Sequence, residues 1–370
     1  MHAHLVAKRP KFPIFTSMIQ NRYEVIGVMS GTSLDGIDLA HCMLSVSDKG
    51  TWSYAILRAE TIPYSTKWKV RLQEGIHFST EQLQVLNKAY TEHLVAVISS
   101  FIETHELTNL DAICSHGHTI LHRPDKGYTL QIGNLPAINS FSVPVICDFR
   151  IADVALGGQG APLVPIGDQL LFNDYDYCLN LGGFANCSYV SNGVRMAYDI
   201  CPVNIVLNHF AELFGHPFDK GGKISAAGHV NASLLSALNE LPFYKQLAPK
   251  SLGLEWVQQH IFPLMAATKI SIQDKMATLT THAAQQLARQ FSEGSRVLVT
   301  GGGAYNAFLL EQLERCKKLQ LVLPEPWLIE YKEALVFGFL GVLKLRNEVN
   351  CLSSVTGARK DHSSGVIFTP

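Results

Sequence analysis

The sequence predicts an α/β protein built from two similar halves with a cleft between them. Two stretches repeat one pattern, a buried strand, a glycine-rich turn, two more strands and a helix, beginning near residues 23 and 176. With 370 residues, of which 47% are apolar and 16% charged, the chain can bury a large core. The alternative is one large α/β domain in which the repetition is coincidental.

The elements of the first half follow from the runs and the spacing of apolar side chains. Apolar runs bounded by turn residues predict strands at 23–30, 37–46 and 52–64. Leucines at helical spacing predict a helix at 81–105. Short buried strands are expected after it, at 111–115, 128–132 and 143–147.

The second half repeats these signals. Its predicted strands lie at 176–181, 186–190, 194–200, 296–299 and 319–323. Its predicted helices lie at 202–214, 274–291, 304–314 and 332–346.

This pattern divides the chain into two lobes. We place the first lobe at residues 23–165 and the second at 166–331, with residues 332–370 packing back on the first. Residues 1–22 are basic and lack both acidic side chains and the apolar segment of a signal peptide. They predict a flexible N-terminal extension or a true start at Met18, and an organelle transit peptide is the alternative.

Charge and cysteine content argue against several classes of protein. Lys and Arg number 30 against 31 Asp and Glu, a net charge of −1, whereas a general nucleic-acid binder has a basic excess. No apolar run approaches the roughly 18 residues of a membrane span. The 8 cysteines form no C-x-x-C pair and follow no secretion signal, so we expect reduced thiols and a cytoplasmic protein.

A glycine-rich turn between the first two predicted strands is the first candidate site. It comprises Gly31, Thr32, Ser33, Leu34, Asp35, Gly36, Ile37 and Asp38. Its glycines let the backbone approach a phosphate, its hydroxyls add donors, and Asp35 could hold Mg²⁺, usually through water. The turn lacks the Gly-Lys-Ser/Thr of a Walker loop, and an ordinary Asp-Gly hairpin is the alternative.

Two further glycine turns lie in the second half. Gly182 and Gly183 separate two predicted strands as the first turn does, so the two turns could clamp the phosphates of a nucleotide from both sides. The other turn contains Gly301, Gly302, Gly303 and Asn306. It precedes a helix, whose free N–H groups could bind the nucleotide, and a Rossmann turn is unsupported because no G-x-G-x-x-G fits.

The segment DFRIADVALGGQGAPL places an arginine and two carboxylates before a glycine-rich loop. Asp153 could act as a general base, and Arg150 could orient it or grip an anionic substrate. Gln159 belongs to the loop, which we expect at the cleft. The alternative is an Arg–Asp ion pair that only fixes the loop.

Three histidines lie within seven residues in SHGHTILH, at His116, His118 and His122. A zinc site would need them on one strand face, which Gly117 is expected to disrupt, and no Cys cluster or H-E-x-x-H completes a ligand set. We therefore expect His116 to line the cleft or contact substrate. Glu333, a further candidate contact, is predicted in the first turn of the last helix, where the macrodipole favours a carboxylate; a plain helix-start role is the alternative.

Several segments together resemble the anhydro-N-acetylmuramic acid kinase family, in order from about residue 24 to 345. They are MSGTSLDGID, SHGHTILH, LQIGN, FRIADVALGGQGAPLVP, LNLGGFANCSY, FDKGGKISAAG, PKSLG, VTGGGAYN and KEALVFGFLG. The resemblance implies a duplicated actin-like, ribonuclease H-like ATPase fold with an interlobe cleft. It also implies ATP and Mg²⁺ as cofactors and a homodimer.

The activity implied by the resemblance is conversion of 1,6-anhydro-N-acetylmuramic acid to N-acetylmuramic acid 6-phosphate in cell-wall sugar recycling. Asp153 would activate the water that opens the anhydro bridge at C1, and Arg150, Glu333, His116 and Gln159 would lie at the sugar. Residues 31–38 and the Gly182-Gly183 turn would hold the phosphates, and the 301–303 turn the nucleoside.

The chain departs from the family pattern in places that bear on sugar selectivity. Residues 199–204 read DICPVN where Asp-Thr-Gly-Pro-Gly-Asn is expected, and His118 stands where Gln is frequent. The segment PKSLGLEW also departs from the family's usual ending, which carries Arg and Glu. Two other functions remain open: a kinase of another sugar without hydrolysis, and a non-catalytic actin-like ATP-binding regulator.

Overall fold

The computed structural model describes residues 20–31 and 33–370. Most of the predicted N-terminal extension, and Thr32 of the first glycine turn, lie outside the described residues.

Two β-sheets organise the described chain. The strands are β1 (Arg22–Ser30), β2 (Gly36–Val46), β3 (Trp52–Pro63), β4 (Ala112–Arg123), β5 (Tyr128–Ile132), β6 (Val145–Cys147), β7 (Tyr177–Leu181), β8 (Phe184–Ser191), β9 (Val194–Pro202), β10 (Arg296–Thr300), β11 (Gln320–Val322) and β12 (Val366–Phe368).

Helices connect and cover the sheets. They are α1 (Thr66–Glu74), α2 (Thr80–Thr104), α3 (Ile151–Ala155), α4 (Pro165–Leu171), α5 (Asn204–Leu213), α6 (Lys223–Ala226), α7 (Ala232–Asn239), α8 (Leu254–Trp256), α9 (Phe262–Ala267), α10 (Ile272–Ala288), α11 (Ala307–Cys316), α12 (Pro326–Leu345) and α13 (Ser353–Thr356).

The two sheets share one strand order. In the first, the order is β12-β6-β4-β1-β2-β3, with β5 paired to β4; β1, β2 and β3 form an antiparallel meander, and β4 and β6 continue in parallel. In the second, β11-β10-β7-β8-β9, the meander is β7–β8–β9 and the parallel strands are β10 and β11. This repetition confirms the predicted duplicated α/β architecture.

The first sheet is buried on both faces, which explains why its central strands are apolar at consecutive positions. Val25 of β1 joins the core beneath α12, and its neighbour Ile26 joins the core beneath α2, because successive strand side chains point to opposite faces. Gly27 permits the close approach of α12: a Cβ there would lie 1.9 Å from the carbonyl oxygen of Ala334. The C-terminal helix α12 thus packs directly on the first sheet.

Two local expectations were wrong. The last helix begins at Pro326, which suits the first helical position, so Glu333 lies in its third turn and not its first. The helix is kinked at Tyr331, where φ is −111° and ψ is 15°. Gly117 does not disrupt its strand: it adopts φ +70°, and β4 continues through Arg123 beside a register shift against β1.

All eight cysteines are free thiols, and Cys316 is the exposed one. Among the described residues, no helix combines the length and the apolar character needed to cross a membrane.

Candidate active site

The glycine turns of the second sheet lie against each other. Gly301 has φ +80°, and a Cβ there would lie 2.5 Å from the Asn180 Oδ1 atom at the end of β7. A Cβ on Gly303 would lie 2.7 Å from Leu181 Cβ, so the turn after β10 packs tightly on the strand that leads into Gly182 and Gly183. The two turns lie close together because β7 and β10 are paired in parallel and end next to each other.

The kink of α12 connects the first glycine turn to the third. On one side, the Gly301 N–H donates to the Ile329 carbonyl at 3.1 Å and the Tyr305 hydroxyl donates to Glu330 at 2.8 Å. On the other side, the Tyr331 hydroxyl lies 3.2 Å from Thr61 Oγ1, which donates to Asp38 at 2.7 Å. The kink thus contacts the third turn directly and the first turn through Thr61.

The first turn exposes its polar residues and buries its apolar ones. Ser33 and Asp35 are exposed and Asp38 is half-buried, whereas Leu34 and Ile37 are buried in the core. Burial raises the pKa of the Asp38 carboxyl, the hydrogen bond from Thr61 opposes that rise, and the charge of Asp35 adds to it. A divalent cation beside these carboxylates would relieve their repulsion, and oxygen ligands suit Mg²⁺. Leu34 and Ile37 can contribute only backbone groups to a nucleotide.

The segment that departs from the family pattern lies beside the Gly182-Gly183 turn. The Val203 N–H donates to the Gly183 carbonyl at 2.8 Å, and the Asn204 side-chain amide donates to the Leu181 carbonyl at 3.0 Å. Asp199 faces elsewhere, because its Oδ2 accepts a hydrogen bond from the Leu252 N–H at 2.8 Å. The DICPVN sequence therefore still supports the turn without its two glycines.

The side chain of Asn306 caps the N-terminus of α11. Its Oδ1 accepts the Leu309 N–H at 3.0 Å, at the start of α11, and only 6% of the residue is exposed. A Cβ on Gly222 would lie 2.2 Å from that oxygen, so the FDKGGKISAAG segment packs against the cap. This contact leaves the Asn306 side chain little freedom to bind a nucleotide as well.

Asp153 is fully buried in the short helix α3. Its Oδ2 accepts the Gly160 N–H at 2.7 Å, and its Oδ1 accepts the Thr356 hydroxyl at 2.7 Å and the Cys351 thiol at 3.1 Å. A Cβ on Gly158 would lie 2.2 Å from Oδ2, so the glycine-rich loop covers the carboxylate closely. Both oxygens already have donors, and a base role needs a movement of this loop that admits water.

Arg150 and His116 form a defined pair. Arg150 Nε donates to His116 Nε2 at 2.8 Å, and its Nη1 donates to the Gly160 carbonyl at 2.7 Å. Because His116 Nε2 accepts, its Nδ1 carries the proton and donates to the Gly117 carbonyl at 2.9 Å. Burial and then the Arg150 charge lower the pKa of His116 well below its usual value, so the ring is neutral. His116 therefore orients Arg150.

Glu333 is the accessible carboxylate of this region. Its side chain is exposed, yet the surrounding protein displaces enough water to raise the pKa of its carboxyl. Arg150 opposes that rise and Asp38 adds to it. Burial also lowers the pKa of Arg150 to about 10, and Glu333 is the foremost charge that opposes this shift. The α12 helix thus brings Glu333 near both Arg150 and the first glycine turn.

Gln159 lies in the loop between Gly158 and Gly160 and has an exposed side chain. Its backbone N–H donates to the Thr356 carbonyl at 2.8 Å, which fixes the loop to the C-terminal region. The other two histidines of SHGHTILH have separate partners: His118 Nδ1 lies 2.8 Å from Ser30 Oγ, and His122 Nδ1 lies 3.1 Å from Thr129 Oγ1. Among the described residues, the three histidines therefore have different hydrogen-bond partners.

The residues that surround Asp153 were not predicted from the sequence. Cys351, Thr356 and His362 come from a segment about two hundred residues later, and no local pattern in the sequence connects them with Asp153. Only the return of the chain after α12 brings them to the site.

The family model and the similar curated sequences agree on one family. The family model described as anhydro-N-acetylmuramic acid kinase matches residues 23–370. The anhydro-N-acetylmuramic acid kinase of Francisella tularensis subsp. novicida is 32% identical over 90% of this chain and 95% of its own. That of Acinetobacter baylyi is 34% identical over 90% of this chain and 96% of its own. The similarity to solved structures is distant. One match is the activator of the 2-hydroxyisocaproyl-CoA dehydratase from Clostridium difficile with bound ADPNP. It has a TM-score of 0.43 and 14% sequence identity, over 87% of this chain and 97% of that one.

Proposed function

Because the chain belongs to the anhydro-N-acetylmuramic acid kinase family, we propose that it converts 1,6-anhydro-N-acetylmuramic acid, ATP and water to N-acetylmuramic acid 6-phosphate and ADP. The observation that carries this proposal is the cluster of Asp153, Arg150 and Glu333, in which the charges of both carboxylates act on Arg150 and which α12 joins to the glycine turns. It supplies two carboxylates and a cation beside a phosphate-binding region, which coupled hydrolysis and phosphoryl transfer require.

The nucleotide would lie between the two sheets. In this proposal the backbone N–H groups of residues 31–38 and of the Gly182-Gly183 turn bind the phosphates, and the 301–303 turn lies against the nucleoside. Asp35 and Asp38 would hold Mg²⁺, which offsets phosphate charge when bound. Phosphoryl transfer depends mainly on such positioning and charge stabilisation.

The sugar would react at two atoms. An oxygen–carbon bond forms between water and C1, and the C1–O6 bond of the anhydro bridge breaks. The freed O6 then forms a bond to the γ-phosphorus of ATP, the bond between that phosphorus and the β,γ-bridging oxygen breaks, and ADP leaves. Asp153 accepts the proton of the water in this assignment, after the Gly158–Gly160 loop has moved to admit it. Arg150, held by His116, would orient the sugar carboxylate or Asp153, and the exposed Glu333 and Gln159 would contact the sugar.

The proposed function also bears on the cellular location and the oligomeric state of the protein. A cell-wall sugar kinase would act in the cytoplasm, in agreement with eight free thiols. We also propose a homodimer, which the family resemblance implies and which light scattering of the purified protein tests.

The first experiment is ATP turnover with and without the anhydro sugar. The proposal predicts turnover that depends on the sugar and on Mg²⁺. Equal turnover without sugar, or none with it, would favour the regulator. Turnover with other sugars but not with the anhydro sugar would favour a plain sugar kinase.

A further inference from the structure

Three metal-ligating atoms converge beside Asp153. Cys351 Sγ lies 3.1 Å and His362 Nε2 lies 3.7 Å from Asp153 Oδ1, and the three atoms all lie within 4.8 Å of one another. Tetrahedral zinc, with bonds of about 2.0–2.3 Å, separates its ligand atoms by about 3.3–3.8 Å. The three side chains are therefore within a small adjustment of binding one ion.

The C-terminal segment places two of these ligands on one face. Cys351 and His362 form an antiparallel bridge with backbone hydrogen bonds of 3.1 and 3.2 Å in the two directions. Directly opposed residues of an antiparallel pair project to the same side. Asn350 fixes the pair, since its side-chain amide donates to the Leu340 and Ser364 carbonyls at 3.0 and 2.9 Å. The arrangement is thus part of the fold and does not depend on surface side chains.

His362 provides the second, independent observation. Its Nδ1 lies 3.1 Å from the Lys360 carbonyl, which can only accept, so the proton of a neutral ring is on Nδ1. Its Nε2 is buried, has no hydrogen-bond partner and faces Asp153, and only 8% of the side chain is exposed. A bare nitrogen lone pair that faces a buried carboxylate is unfavourable unless a proton or a metal cation lies between them.

We propose that Asp153, Cys351 and His362 form a binding site for a borderline-soft divalent cation, with Zn²⁺ as the best match. Binding transfers the thiol proton of Cys351 to solvent, and the thiolate, the carboxylate and the neutral His362 Nε2 bind the ion without any redox change. The two negative charges balance the ion, which suits a buried site. A thiolate and an imidazole favour Zn²⁺ over Mg²⁺, which prefers oxygen ligands. Lys360 and Asp361 are exposed, so the ligands lie just beneath the surface.

An effect of Zn²⁺ on turnover is also expected, and this expectation rests on the proposed function. A carboxylate bound to Zn²⁺ cannot accept a proton from water, so occupancy of this site and the base role of Asp153 exclude each other. Zn²⁺ should then inhibit turnover at a site distinct from the Mg²⁺ carboxylates of the first glycine turn.

The test is titration of the reduced full-length protein with Co²⁺, whose bond to a thiolate gives a near-ultraviolet charge-transfer band. We expect the band to saturate at one equivalent, to be abolished by Zn²⁺ and to be absent in Cys351→Ser, which keeps a donor to Asp153. His362→Leu should weaken Co²⁺ binding at least about tenfold, the low end of measured effects of perturbing a metal site. Cys316→Ser, which removes the exposed thiol, is the matched control and should retain the band.

Three outcomes would overturn the metal site: no band in the wild-type protein, a band that Cys351→Ser retains, or an affinity that His362→Leu leaves unchanged. Circular dichroism of each variant checks folding, and the more conservative Cys351→Ser carries the test if His362→Leu is unfolded. The spectra do not require activity, so an inactive protein with a Cys351-dependent band would refute the proposed function but not the metal site. Zn²⁺ inhibition equal in wild type and Cys351→Ser would refute only the link to Asp153.

Discussion

Lys332 Nζ lies 2.7 Å from Asp168 Oδ1 in an ion pair whose two side chains are 7% and 6% exposed. Arg195 of β9 lies 3.6 Å from the other carboxylate oxygen, and Ser188 of β8 donates to it. Burial alone would lower the pKa of Lys332, but the Asp168 charge raises it above its usual value. The pair therefore joins α12, on the first sheet, to α4 and to strands of the second sheet, one residue before Glu333.

We expect Lys332→Met to destabilise the protein, because Asp168 would keep a buried charge with one cation fewer. Breaking a buried ion pair lowers the free energy of unfolding by about 3–5 kcal/mol. Because Arg195 remains beside Asp168, we expect a loss of about 3 kcal/mol. Urea unfolding at pH 7 measures it. Lys88→Met, on the exposed face of α2, should change stability by less than about 0.5 kcal/mol. Equal stability of the two variants would contradict the role of the pair.

We expect Asp153→Asn to retain ATP binding but to lose at least roughly a hundred-fold in turnover, the low end of general-base contributions. Asparagine can still accept the Gly160 N–H, so the loop should keep its anchor. Asp361→Asn is the control, because Asp361 accepts the Ser353 N–H at 2.8 Å and takes no part in the proposed reaction. Near-normal turnover of Asp153→Asn in a steady-state assay would remove the base assignment.

The strands of the two meanders could be predicted from the sequence because each is an apolar run that ends at turn residues, but their order within each sheet was not predicted. The helix α1 could not, since Leu72 is its one buried residue and its apolar periodicity is weak. The start of α12 was placed late because the polar residues 330–333, with the kink at Tyr331, separate its first turn from the apolar stretch that begins at Ala334.

The candidate site was only partly predictable, for a physical reason. Asp153 and Arg150 lie in one short segment, and a glycine-rich loop beside charged residues is a local signal. The environment of Asp153 depends on Thr356 and Cys351, which reach it only through the packing of the C-terminal segment. A local pattern cannot report a contact made across the fold.

Glu333→Gln should stabilise the protein more at pH 7 than at pH 4. The folded state raises the pKa of Glu333, so folding favours its protonated form and stability declines as pH rises through that pKa. Glutamine removes this decline, and urea unfolding at the two pH values measures the difference. Sugar-dependent turnover should fall in the same variant, since Glu333 is assigned to the substrate. A variant that is less stable than wild type at pH 7 would contradict the pKa argument.

His118 should make the protein sensitive to mild acid. Burial lowers the pKa of His118 to about 4, so the unfolded chain takes up a proton below about pH 6.5 that the folded chain does not. His118 alone should therefore lower the free energy of unfolding by about 1–2 kcal/mol between pH 7 and pH 5, and His118→Gln should reduce the total fall by that amount. His229→Gln is the control, because the His229 side chain is 96% exposed. An unchanged pH dependence in His118→Gln, followed by chemical denaturation, would show that another group is responsible.

In the proposed reaction, one active site opens the anhydro bridge and phosphorylates the freed O6. Phosphorus–proton correlation NMR of the product formed from 1,6-anhydro-N-acetylmuramic acid, ATP and Mg²⁺ tests both steps at once. We expect a phosphorus signal correlated with the two C6 protons, together with the α and β anomeric signals of a free reducing end. A phosphorylated product that retains the anhydro bridge, or an unphosphorylated product with the bridge open, would contradict it.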